Sequence, residues 1–157
     1  MSNCRRFSAD PLRIVRYARL RMLIHTCMHI QTVTSAAESD FEPSKLYSVL
    51  AEPSNIPKRA PAFADAIERI SGTRYRVTKN GQDFNLEVSL HQSAGAVDYI
   101  REMSGGKRGG AYIRVTPRPL SGSTITMTVP IGPNTTKSDV ENTVKQELAD
   151  LIRLAGS

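Results

Sequence analysis

From residue 61 onward, apolar and polar positions fall into regular patterns. Phe63, Ile67 and Ile70 recur at helical spacing behind Pro61, and Ser71-Gly72 supplies a stop, which predicts a helix over 61–70. Residues 74–79 and 84–90 alternate with period two and are joined at Asn80-Gly81, the dipeptide favoured by tight hairpins. Ser93 as a cap, followed by Ala96, Val97, Ile100 and Met103, predicts a second helix, again stopped by Ser-Gly. Residues 111–118 and 124–129 predict a second hairpin across 119–123. The last helix has the clearest pattern: Val140, Val144, Leu148, Leu151 and Ala155 line one face. Ser138 with Glu141 reads as its capping box, Glu141 and Lys145 stand at pairing distance, and Gly156 ends it.

Together these elements predict one α+β domain over 58–157. It has a four-stranded antiparallel sheet made of two hairpins, with helices on one face, in the order α-β-β-α-β-β-α. Residues 64–72 also align with residues 97–105, with Asp, Ile, Ser and Gly coinciding. An internal duplication with pseudo-twofold symmetry would explain the match. Amphipathic segments ending in Ser-Gly are common, so convergence explains it equally well.

Upstream the composition changes. Residues 1–37 read as a basic arm, in which Asp10-Pro11 opens a helix running to about Ile30. Three readings fit it: an Arg-rich organellar targeting segment, a poor secretory signal, or a mature arm that touches nucleic acid. Residues 38–57, acidic and interrupted by Pro43, Pro53 and Pro57, read as a linker with a helical turn near Lys45–Leu50. Cys4 and Cys27 do not make a disulfide framework, which points to reduced thiols and an intracellular site, with organellar import or virion association also open.

Composition narrows the class. Of 157 residues 39% are hydrophobic and 23% charged, enough for a packed core; aromatics are 6% without Trp, so that core is mainly aliphatic. The net charge of +6 is uneven. Residues 1–30 carry +5, 31–57 carry −3, 58–118 carry +5 and 119–157 carry −1. A basic balance of this kind favours phosphate-bearing partners or serves solubility alone.

The strand alternation sorts the charges. Tyr75, Val77, Phe84, Leu86, Val88, Leu90, Ile113, Val115, Ile125, Met127 and Val129 fall on an apolar face. The opposite face receives Arg74, Arg76, Tyr112, Arg114, Arg118 and several Thr, with Glu87 as its single acid. The Gly-rich tip around Lys107-Arg108 extends it. Arginines and hydroxyls contact phosphates and a tyrosine stacks on an unpaired base. The expected function is therefore a non-catalytic nucleic-acid-binding accessory protein, with RNA or single strands as partner. The expected binding residues are Arg74, Arg76, Lys107, Arg108, Tyr112, Arg114 and Arg118. A solvated face is the plain competitor. The alternative function is a structural or assembly subunit of a viral or other large particle, self-associating, as a homodimer or larger, through this face or the last helix. The strand order matches neither the RNA-recognition module nor the double-stranded RNA-binding domain.

Catalytic signals are sparse. His25, Cys27 and His29 form H-x-C-x-H without the second ligand pair that zinc motifs need. His91 lies near Ser89 without a nucleophile elbow. Asp65 and Asp98 would approach each other only if the duplication held. No catalytic residue, metal or cofactor is assigned.

Overall fold

The computed structural model describes residues 31–132 and 134–157. The helix expected over 11–30 and the H-x-C-x-H spacing lie outside them. The described residues open with strand β1 (Thr32–Ser39) and helices α1 (Pro43–Ala51) and α2 (Ile56–Arg59). Six strands follow: β2 (Ala66–Ser71), β3 (Arg74–Lys79), β4 (Gln82–His91), β5 (Ala96–Glu102), β6 (Arg108–Pro117) and β7 (Ser123–Pro130). Helix α3 (Lys137–Ala155) closes the chain. All seven strands form one antiparallel sheet in the order β1-β7-β6-β5-β4-β3-β2.

This corrects the four-stranded sheet and its α-β-β-α-β-β-α order. The two segments expected as helices, 61–70 and 93–103, supply strands β2 and β5. In β5, Val97 and Tyr99 are buried while Asp98 and Ile100, on the other face, are less so, the period-two signature of a strand. Only Gln92–Ala94 forms a helical turn there, and Gly95 ends it in the left-handed region at φ +57°. The supposed duplication falls with the helices: β2 is a sheet edge, whereas β5 lies between β4 and β6.

Residues 31–57 also differ from the arm end and linker expected of them. β1 pairs with β7 from Thr32↔Pro130 to Ser39↔Ser123. The linker prolines start helices: Pro43 is at the start of α1, and Pro53 begins the turn that leads into α2. A proline is tolerated there because the first helical N–H groups have no intrahelical acceptor.

The hairpin at Asn80-Gly81 forms as the dipeptide implies, with φ of +50° and +73°. Helix α3 is capped by Thr136, whose Oγ1 accepts the Asp139 N–H at 3.2 Å, two residues before the expected Ser138 box. Glu141 pairs backwards with Lys137 at 3.6 Å, not forwards with Lys145.

The apolar face carries the core. Val77, Leu86, Val88, Val97, Ile113, Val115, Ile125 and Met127 are buried against Leu46 and Leu50 of α1 and Val144, Leu148 and Leu151 of α3. Leu90 departs from the expected set and is exposed near the end of β4. α3 packs on β1 and β7 and touches α1 and α2, while α1 lies over β5 and β6. Several inward residues of β1 and β7 are small, Ser35 and Ser39 on β1 and Ser123 on β7, beside the buried Val33, Ile125 and Met127. No helix of the described residues is long and apolar enough to cross a membrane.

Candidate functional site

The outer face holds most of the arginines expected to bind nucleic acid, but it is not a free cationic surface. Arg74 and Arg76 are exposed on β3, and Tyr112 and Arg114 share one face of β6. Lys107 precedes Arg108 at the start of β6, and Arg118 follows its end. Strands read as helices or linker bring carboxylates to meet them. β5 contributes Asp98, which pairs with Arg114; β2 contributes Glu68, 3.8 Å from Arg76; Glu87 pairs with Arg108. Arg118 turns to Glu38 of β1 at 2.9 Å and Asp40 at 3.0 Å. Expecting a single acid on this face rested on four strands; with seven, its charge is largely cancelled. Exposed pairs of this kind contribute little stability, but they reduce the field available to a polyanion.

Ser89 Oγ and His91 Nε2 do meet, at 3.0 Å, on the open surface. Asp98, opposite Ser89, is committed to Arg114, so among the described residues it does not orient the imidazole. Asp65 and Asp98 do not pair up; each serves a different ion pair. Among the described residues no cluster of His, Cys, Asp and Glu could hold a metal ion.

The inner face has polar chemistry that the sequence patterns do not display. Two features stand out. The first lies beneath the helices. Arg59, at the end of α2, is 3% exposed, with its guanidinium carbon 4.8 Å above the ring of Tyr99. Its Nε–H is buried without an acceptor among the described residues. Tyr99 donates its hydroxyl hydrogen to the Leu50 carbonyl, tying β5 to α1. Burial raises the Tyr99 pKa, and Arg59 opposes the rise. Glu147 of α3 faces the same interior: burial pushes its carboxyl up to about 7 against the pull of Arg59.

The second is a cleft of about 330 Å³ lined by Ala62, Phe63, Lys79, Asn80, Gln82, Phe84 and Arg101. Arg101 is opposite Leu86 and Gly109 in the ladder, so it stands on the inner face, diagonal to Phe84. Its guanidinium carbon is 3.9 Å from the Phe84 centroid. Phe63, from the α2–β2 connection, meets Phe84 edge to face at 5.3 Å and 74°. The rim is clasped. Asp65 accepts from Lys79 Nζ and from the Asn80 N–H, both at 2.7 Å, and Lys79 also donates to the Pro61 carbonyl at 2.8 Å. The Lys79 and Asn80 bonds hold the Asp65 carboxyl below its ordinary range. The α2–β2 connection is thereby fixed on the β3–β4 hairpin. Sequence reading missed this site because Phe63 and Arg101 were placed on helices; the period-two run Val97, Tyr99, Arg101 was the available signal.

Neither a protein-family model nor any curated protein matches the sequence. Solved structures do share the fold. A protein from Mesorhizobium loti superposes with a TM-score of 0.61 at 18% identity, over 79% of this chain and 96% of its own. The Zhui aromatase/cyclase from Streptomyces sp. R1128 gives 0.63 at 12%, over 82% and 94%. A START superfamily protein from Mycobacterium smegmatis gives 0.57 at 12%, over 80% and 94%. At such identities the likeness is one of fold. It overturns the nucleic-acid-binding reading and equally the structural or virion-assembly alternative. The described residues share the fold of these structures, and the arginine face, on which the first reading rests and the alternative in part, is mostly ion-paired.

Proposed function

We propose that this protein binds a small organic molecule in the cleft formed by Phe63, Phe84, Lys79 and Arg101. The observation that carries the reading is the cleft itself. It pairs two aromatic rings with a few polar groups, and its volume of about 330 Å³ is at the small end of ligand sites. The neighbours support it in kind: one is described as an aromatase/cyclase.

The clasp of Asp65 on Lys79 and Asn80 makes the cleft largely pre-formed, so little ordering entropy opposes binding. Titration with the uncharged dye N-phenyl-1-naphthylamine tests the reading. Its fluorescence should rise and saturate with the wild-type protein, and Phe84→Ala should weaken binding at least tenfold while the protein stays folded. No saturable binding, or binding indifferent to Phe84→Ala, would overturn it.

A further inference from the structure

We infer that the ligand is a planar anion, a ring system carrying a carboxylate or a similar acid, with Arg101 as the group that selects it. This rests on the cleft being a small-molecule site. The argument is one of charge balance and shape. The seven lining residues include two cations and no acid. Lys79 is spent on the rim, its ammonium held by Asp65 and the Pro61 carbonyl. Arg101 has no carboxylate within ion-pair distance among the described residues, and its guanidinium rests on Phe84. The neighbouring acid Glu102 belongs to the opposite face, across from Arg108.

A guanidinium held over a ring keeps in-plane N–H groups for an acceptor, and two of them match the two oxygens of a carboxylate. The same residue sets the shape. Phe63 and Phe84 already touch edge to face, so a flat ring would lie against their open edges and not between them, with its acid group toward Arg101. A neutral ring of the same size gains the aromatic contacts but covers Arg101 without pairing it, which lowers its affinity. The small cleft offers little apolar area, so charge and planarity decide the ligand.

The test compares 2-naphthoate with its uncharged isostere 2-naphthamide by isothermal titration calorimetry. Wild type should bind the carboxylate about tenfold more tightly than the amide, and the preference should shrink as salt rises. Arg101→Gln should abolish the preference and leave amide binding within about twofold; Arg101→Lys should restore part of it. Arg74→Gln, which removes the same charge from the opposite face, should leave both affinities unchanged. Equal binding of acid and amide to wild type, or a preference that survives Arg101→Gln, overturns the ligand class while the cleft remains a site. Failure of both naphthalenes and of the uncharged dye would instead remove the binding function itself.

Discussion

Arg59 lies buried with its guanidinium 4.8 Å above the ring of Tyr99, so that a cation from α2 is covered by a side chain from the centre of the sheet. The Tyr99 hydroxyl meanwhile bonds to Leu50 of α1. One sheet residue thus anchors both short helices. The Arg59 Nε–H has no acceptor among the described residues, so the buried guanidinium is not fully hydrogen-bonded.

Stability should therefore depend on the bulk of Arg59 more than on its charge. Arg59→Met keeps the length over the ring and should change stability by less than about 1 kcal/mol, because replacing a poorly compensated buried ion with an apolar chain is often neutral. Arg59→Ala leaves a void over Tyr99 and should cost about 2–4 kcal/mol. Urea unfolding distinguishes them. Equal losses in both variants would mean that the charge itself holds α2.

Glu147 gives a pH dependence with a definite sign. Its folded pKa, about 7, is above the ordinary 4.5, so the native state binds more protons than the unfolded chain between those values. Its contribution is complete below about pH 4.5 and is lost as pH rises through 7. Glu147→Gln should remove that slope and raise stability at pH 8 by about 2 kcal/mol, after allowance for its residual exposure. Thermal melts of both proteins from pH 4.5 to 8 would show it. Parallel curves would refute it.

Leu148, 1% exposed at the middle of the α3 stripe, is the core position where truncation should cost most: Leu148→Ala by about 3 kcal/mol and Leu148→Asp with loss of the cooperative transition. Denaturant unfolding and near-UV circular dichroism read both. A folded Leu148→Asp would mean that the stripe faces water.

Gly95 sits at φ +57°, and a Cβ there would lie 2.2 Å from the Val115 carbonyl oxygen; the Val115 N–H itself donates to the Gly95 carbonyl at 2.9 Å. Gly95→Ala should cost more than about 2 kcal/mol. Gly72→Ala, also at positive φ but with open space around it, should cost about 1 kcal/mol. Similar losses at the two sites, measured by thermal denaturation, would contradict the steric account.

Where local signals and tertiary demand agree, the sequence is readable. Asn80-Gly81 dictates its turn whatever surrounds it, and the α3 stripe needs a single apolar surface. Residues 61–70 and 93–103 mislead because Phe63, Ile67 and Ile70, or Val97, Ile100 and Met103, satisfy a helical period by accident. Sheet neighbours decide the outcome: Val97 and Tyr99 are buried only because β4 and β6 flank β5. β1 carries little apolar signal, since Ser35 and Ser39 face inward beneath α3 where larger side chains would not be needed. The cleft was illegible for the same reason. Arg101 belongs to it only through the register that sets it opposite Leu86, and register is not written in any one segment.

The pairing of β1 with β7 also has a consequence in time. β2 to β7 are joined in sequence by short connections, so their ladders can zip hairpin by hairpin as the chain emerges. β1 has to wait. Its neighbour in the sheet among the described residues, running from Ser39↔Ser123 to Thr32↔Pro130, is the strand made last, and α3 comes later still. During synthesis the first described strand is thus an orphan edge, carried for about ninety residues before its hydrogen bonds can close. A slow, non-local final step, coupling docking of β1 to arrival of β7 and α3, is built into this order of strands.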